Sequence, residues 1–291
     1  MGERLIIFDF DGTLTDAEAE GAPFRDGYLQ DISTLVGAPQ ADLEAEAQHF
    51  EAEVAAAPER YGWLFGGAIV APATVDPYLR MMPVARALLD RHQRLMDPAD
   101  RERVLDGLLY KYNYQKTKTV FRDGAAALLK ACLASPRTMT AVVTNSHTDA
   151  VQKKLALLDQ ESASLPGPRI ATLIERVFGR AQKYVLDDDF TALPRSTQLP
   201  GLERPVFLRR RRYYEVLEAR RAEAGVAWEQ VWVIGDIFEL DLSLPLELGA
   251  RVSLVVNDFT PSWERAHLSG HPRASLVGSL EALSAELLTE S

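Results

Sequence analysis

"LIIFDFDGTLTD", residues 5–16, decides how this chain is read. Leu5 to Phe8 form a short apolar run, the pattern of a buried strand, and the run ends in two aspartates one residue apart. Side chains at i and i+2 of an extended segment face the same side, so Asp9 and Asp11 aim two carboxylates at one spot. Like charges that close raise each other's proton affinity unless a cation or a shared proton relieves them. An acidic turn after a strand is the plainest account, and the rest of the chain argues for more than that.

The composition around this stretch sets limits. With 47% hydrophobic and 25% charged residues the chain has the make-up of a globular protein, and disorder is excluded. Its 291 residues suit one to two domains at roughly 150 residues each. A net charge of -10 argues against nucleic acid and against an anionic membrane surface as partners. Cys132 stands alone, so no intrachain disulfide forms, which fits a reducing compartment. "LIIF" is too short for a signal peptide or a membrane span, and no other run approaches ~18 apolar residues, so a cytoplasmic location is expected.

Helical patterns follow the first strand over 41–57, 77–95 and 97–115, with Pro83 expected to kink or start one of them. "YGWLFGGAIVAP" (61–72) carries no clear period. After Val120 the pattern alternates: helix over 123–134, strand over 138–146, helix over 147–158, helix over 212–225 closed by Gly225, strand over 231–236, and a last strand over 250–257. Segments 159–170 and 187–208 read as proline-rich connections. This alternation predicts an α/β fold, a Rossmann-like three-layer sandwich with a parallel sheet. The helical block 17–118 interrupts it just after the first strand and is expected to be an inserted domain, leaving 1–16 and 119–291 as the core.

In open parallel sheets, ligands bind outside the carboxyl ends of the strands. Three apolar strands here end in such chemistry: Asp9 and Asp11; Thr144, Asn145 and Ser146; and Asp236, followed by Glu239 and Asp241. Together they resemble the haloacid dehalogenase superfamily, most of whose members are phosphatases. "DFDGTLTD" matches its first motif, "VVTNS" its second, and "VIGDIFELDLSLPLELGA" its fourth. The resemblance covers residues 1–16 and about 119–285, and the 17–118 block falls where the family inserts a helical cap.

The resemblance implies roles. Asp9 is the expected nucleophile, forming an aspartyl-phosphate, and Asp11 the expected general acid and base. Mg2+ is the expected cofactor, since hard oxygen ligands suit it. The implied metal residues are Asp9, Asp11 through its backbone carbonyl, Asp236 and Asp241, with Asp241 or Glu239 supporting from behind or through water. Gly12 permits the tight turn whose amides cradle phosphate. Thr144 offers a hydroxyl to the transferring group, Asn145 a further contact, and Arg210 stands with Gly12 and Asn145 as a substrate-binding candidate. Thr13 and Asp16 are expected to be structural.

The third motif departs from the family pattern, which places a Lys or Arg against the carboxylates. Lys183 is favoured, because a compact ammonium suits a crowded anionic site; Arg209, Arg210, Arg211 and Arg212 stay as alternatives. The acid at Asp11 argues for phosphoryl chemistry over the dehalogenase branch. No Lys occurs before Lys111, and only Lys116 and Lys118 follow in the insert, which argues against the phosphonatase branch and its cap lysine. The expectation is a Mg2+-dependent phosphatase acting on a small phosphorylated metabolite. The alternatives are a phosphotransferase or sugar-phosphate mutase with the same intermediate, and a non-catalytic relative. Arg60, Tyr61, Trp63, Tyr78, Arg80 and Met82 are candidate specificity contacts in the cap, with core packing the favoured account of its aromatic and Met residues.

Overall fold

The computed structural model describes residues 3–113 and 118–289. Lys116 and the last two residues of the helix expected over 97–115 lie outside them. In chain order the elements are β1 (Arg4–Phe8), α1 (Ala17–Val36), α2 (Gln40–Ala56), β2 (Gly62–Phe65), β3 (Ala68–Pro72), α3 (Pro77–Arg91) and α4 (Pro98–Asn113). Then come α5 (Ala125–Ala134), β4 (Thr138–Val143), α6 (Thr148–Glu161), β5 (Val177–Phe178), β6 (Ser196–Thr197), β7 (Val206–Phe207), α7 (Arg211–Ala224) and β8 (Val231–Gly235). The last are α8 (Ser243–Glu247), β9 (Arg251–Val255), α9 (Ser262–Ser269), β10 (Ala274–Val277) and α10 (Leu280–Thr289).

Six strands form one sheet in the order β10-β9-β8-β1-β4-β5, and its five neighbouring pairs are all parallel. Parallel strands are covered on both faces, and β1 reflects this in its side chains. Leu5 and Ile7 enter a core with Val143, Tyr213, Leu217, Val233 and Leu254. Ile6 and Phe8 enter the other core, with Leu128, Val151, Leu155, Ile234 and Leu283. Helices therefore lie on each face, the three-layer α/β arrangement expected from the alternation. The chain moves from β1 outward to β4 and β5, then returns to β8 on the other side of β1 and continues to β9 and β10. That reversal is a topological switch point, where such sheets open a crevice at their carboxyl ends.

The chain divides into two compact units: residues 1–16, 65–70 and 121–291, and residues 17–64 and 71–120. The second unit is mainly helical, and its core is built by Phe24, Tyr28 and Ile32 of α1, Leu43 and Ala47 of α2, and Met81, Val84 and Leu88 of α3. Asp76 caps α3, accepting from the Tyr78 and Leu79 amides at 2.8 and 2.9 Å. Pro83 sits inside α3 rather than starting it. Tyr78 packs on Phe24 with ring centroids 4.6 Å apart, and Met82 Sδ accepts from the Tyr28 hydroxyl at 3.3 Å. Arg80 is buried, donating to Glu18 and the Thr74 carbonyl. All three serve this unit's own packing.

At four places the structure adds elements to those expected from the sequence. A further strand, β10, follows the one expected to be last. The apolar stretch 61–72 forms β2 and β3, which pair with each other. Residues 169–179 become a 3-10 turn (Ile170–Arg176) and the two-residue edge strand β5. The proline-rich 187–208 connection contains the small antiparallel pair of β6 and β7.

Candidate active site

β1, β4 and β8 are neighbours, so their last residues deliver Asp9, Thr144 and Asp236 to the same end of the sheet. Phe8 is level with Val142 and Ile234, and the Asp9 amide continues the ladder to the Ile234 carbonyl at 2.8 Å. Asp241 arrives from the helical turn after β8 and is fixed locally. Its Oδ2 accepts from the Ile237 amide at 3.0 Å, and its carbonyl accepts from the Tyr213 hydroxyl at 2.7 Å.

Lys183 ties these groups together. Its Nζ donates to Asp9 Oδ1 at 2.6 Å and to Asp241 Oδ1 at 2.8 Å, and the side chain is only 1% exposed. Thr13 Oγ1 donates to Asp236 Oδ1 at 3.0 Å and lies 3.4 Å from Asp9 Oδ2. Gly12 has a φ of +83°, and a Cβ placed there would sit 2.1 Å from Asp236 Oδ2. Glycine at 12 is thus needed both for backbone handedness and for space. Gly235 is similarly crowded: a Cβ there would meet Asp241 Cβ at 2.4 Å.

Asp9, Asp236 and Asp241 each offer an oxygen, and these oxygens lie within 4.8 Å of one another. Burial pushes the Asp9 carboxyl up to about 7, against the pull of Lys183. Burial, with Asp241 and Asp9 nearby, drives Asp236 well above the usual carboxylate range. Burial opposes the Lys183 charge too, yet Asp241 and Asp9 hold its ammonium above the ordinary lysine range. Three enclosed carboxylates around one ammonium leave excess negative charge. An all-oxygen, anionic donor set of this kind fits a hard divalent cation such as Mg2+.

Asp11 stands apart from that cluster. Its Oδ2 accepts from Ser146 Oγ at 2.6 Å and its Oδ1 from Lys154 Nζ at 3.1 Å, with 38% of the side chain exposed. Thr144 is buried, and its hydroxyl accepts from the Ser146 amide at 3.1 Å. Asn145 Oδ1 accepts from the Lys183 amide at 2.8 Å, so the second motif orients the lysine as well as lining the site.

Among the third-motif candidates, Lys183 is the one that reaches the carboxylates. Arg210 is fully enclosed, and its three nitrogens donate to the carbonyls of Phe207, Lys183 and Val70. It braces the lysine's backbone and is not brought to the carboxylates. Burial lowers its guanidinium to about 10. Arg209 donates to the Leu193 and Asp188 carbonyls, and Arg211 pairs with Asp187 at 2.5 Å. Glu239 is engaged by Arg204 through both oxygens, at 2.7 and 2.5 Å.

Sequence reasoning missed several contributors. Thr13 contacts the carboxylate cluster, although it was expected to be structural. Lys154, together with Ser146 at the end of the second motif, holds Asp11; Lys154 lies in the second turn of α6, an ordinary-looking helix. Arg122 Nε donates to the Gly12 carbonyl at 2.9 Å and steadies the turn. Glu264 is fully buried behind the site, close to Glu239, with neither oxygen in a well-formed hydrogen bond; burial raises its carboxyl well above the usual range.

The fold resembles several solved structures. One is a predicted phosphoglycolate phosphatase from Haemophilus somnus, 16% identical, covering 99% of this chain and 98% of that one, with a TM-score of 0.53. Another is a conserved haloacid dehalogenase-like protein of unknown function from Agrobacterium tumefaciens, 16% identical, covering 99% of each, with a TM-score of 0.50. A third is the putative HAD-hydrolase YfnB from Bacillus subtilis, 17% identical, covering 99% and 100%, with a TM-score of 0.48. No curated protein gives a significant sequence match. Among the described residues, no helix is long and apolar enough to cross a membrane. The model of the haloacid dehalogenase-like hydrolases matches residues 3–244, spanning all three strand-end motifs, and the chain belongs to that family.

Proposed function

We propose that this chain is a Mg2+-dependent phosphatase that hydrolyses a small phosphomonoester through an aspartyl-phosphate on Asp9. The supporting observation is the division of labour between two carboxylates two residues apart. Asp9 is enclosed with Asp236, Asp241 and Lys183, whereas Asp11 is partly exposed and held by Ser146 and Lys154. An enclosed carboxylate held beside an ammonium suits nucleophilic attack, and an accessible one suits proton exchange with leaving group and water.

In this reading an Asp9 oxygen attacks phosphorus while the ester P–O bond breaks. Asp11 gives its proton to the departing oxygen, releasing the alcohol. Asp11 then takes a proton from water as that water attacks phosphorus, the Asp9–phosphate bond breaks, and inorganic phosphate leaves with Asp9 restored. Thr144 and the Gly12 turn face the transferring group. The side chains of Asp9, Asp236 and Asp241 with the Asp11 carbonyl would hold the metal, which supplies charge neutralisation for the transferring phosphoryl group. The helical unit is the candidate cap that limits substrates to small molecules.

The test is phosphate release from a panel of small phosphomonoesters, with and without Mg2+, comparing wild type with Asp9→Asn. Metal-dependent release that vanishes in the variant supports the reading. Halide release from a 2-haloacid, with no phosphate release from any ester, would overturn it.

A further inference from the structure

We propose a second ligand site outside the carboxylate cluster: the pocket between β5, the 180–182 turn and α7 binds a phosphate-class anion. The cavity measures about 310 Å3, at the small end of metabolite pockets. Its charged lining is Arg180, Arg212, Arg220 and Glu215, with Phe178 and Gln182 beside them. Three cations against one acid is a local reversal in a chain of net charge -10.

The engagement of these arginines sets the pocket apart from an ordinary solvated face. Arg180 Nη2 meets His147 Nδ1 at 2.9 Å and, among the described residues, no carboxylate. Arg220 pairs with Glu223 at 2.6 Å, its guanidinium lies 3.9 Å from the Phe178 ring centroid, and its buried Nε has no hydrogen-bond partner among the described residues. Arg212 forms no ion pair or hydrogen bond among the described residues. It belongs to the run Arg210-Arg211-Arg212 that opens α7, whose first turn carries no acid. Basic residues there oppose the helix dipole. Arg210 has a structural use in three carbonyls and Arg211 has one in Asp187, so Arg212 is the member whose charge the fold leaves unused. Guanidinium forks converging on one concavity, one of them already held against an aromatic ring, suit the oxygens of a phosphate group.

The position gives such a ligand a consequence. Arg180 and Gln182 both hold left-handed backbone, at φ 54° and 50°, and the next residue is Lys183. An anion spanning Arg180 and Arg212 braces the turn that delivers Lys183 to Asp9. Its source is either a separate phosphorylated ligand or the far end of a bisphosphorylated substrate.

Inorganic phosphate is the probe, titrated calorimetrically into the full chain at low ionic strength with EDTA present. Chelation removes the divalent ion that would hold phosphate at the carboxylate cluster. Wild type is expected to bind, and the double variant Arg180→Gln/Arg212→Gln to bind at least about ten-fold more weakly, while Arg103→Gln, an exposed arginine of the helical unit, changes nothing. Equal binding by the double variant, or no binding by wild type up to about 20 mM, would overturn the site. The source is read from turnover. A KM that rises in the double variant for bisphosphate but not monophosphate esters assigns the site to the substrate's far end. An unchanged KM for both, with phosphate binding lost, assigns it to a separate ligand.

Discussion

Lys183 is the residue on which the site's charge balance turns. It answers two carboxylates at 2.6 and 2.8 Å in a place that water barely reaches. Removing one partner from a buried ion pair leaves the other uncompensated, at a cost of roughly 3–5 kcal/mol. Lys183→Met is therefore expected to lower stability by about that amount and phosphate release by at least about a hundred-fold. Denaturant melts and turnover assays check the two effects; a variant as stable and active as wild type would show that the lysine is incidental. Gly12→Ala tests space rather than charge. The new Cβ would collide with Asp236 Oδ2, so Asp236 must turn away from Asp9 and Asp241. Metal affinity, followed by calorimetry, should fall by about ten-fold or more while the fold persists. At this scale Asp9 and Asp236 were legible because each closes an apolar run. Lys183 was less so: it follows an irregular segment, and four consecutive arginines downstream offered the same charge. Burial decides between them, since Arg209, Arg210 and Arg211 are taken up by carbonyls and Asp187 and Arg212 is exposed, and burial cannot be read from spacing.

β1 shows why the central elements could be read from sequence and the peripheral ones could not. A strand buried on both faces must be apolar throughout, and residues 5–8 satisfy this with alternate side chains in opposite cores. β8 does the same, and β4 and β9 keep enough of the pattern to be read although Thr140 and Ser253 interrupt it. β5, β6 and β7 have two residues each, too few to carry a period, and β2 and β3 are short apolar strands around Gly66 and Gly67, a stretch that suits several conformations. β10, "ASLV", is a short strand at the sheet edge with three of its four residues only partly buried, too short to carry a period of its own. The load on β1 can be measured. Ile7 is 1% exposed and sits two residues before the motif. Ile7→Ala should reduce stability by about 2–5 kcal/mol, seen as a lower denaturant midpoint at unchanged slope. A loss below about 1 kcal/mol would mean that the core around β1 closes over the gap.

For the whole molecule, the buried carboxylates make stability depend on pH and metal together. Asp9 sits at about 7 and Asp236 well above its usual range, both raised chiefly by burial, whereas unfolded carboxyls titrate near ~4. A raised carboxyl holds its proton in the folded chain after the unfolded chain has lost it. Its contribution is therefore complete below about pH 4 and is lost as pH climbs through the folded value. Lys183, raised above the lysine range, keeps its own contribution constant across that window. In EDTA the melting temperature should fall between pH 5 and pH 8. Asp76, raised to about 6, and Glu264 push the same way, so the fall alone does not identify the site. Magnesium does: it binds the ionised carboxylates in competition with protons, so its stabilisation should be small at pH 5 and large at pH 8. At about 100 times its dissociation constant it would contribute about 2.7 kcal/mol. Asp236→Asn should abolish the magnesium-dependent part, whereas Glu264→Gln should soften the fall in EDTA and leave the magnesium effect intact. A magnesium shift of equal size at pH 5 and pH 8 would mean that the ion binds away from these carboxylates.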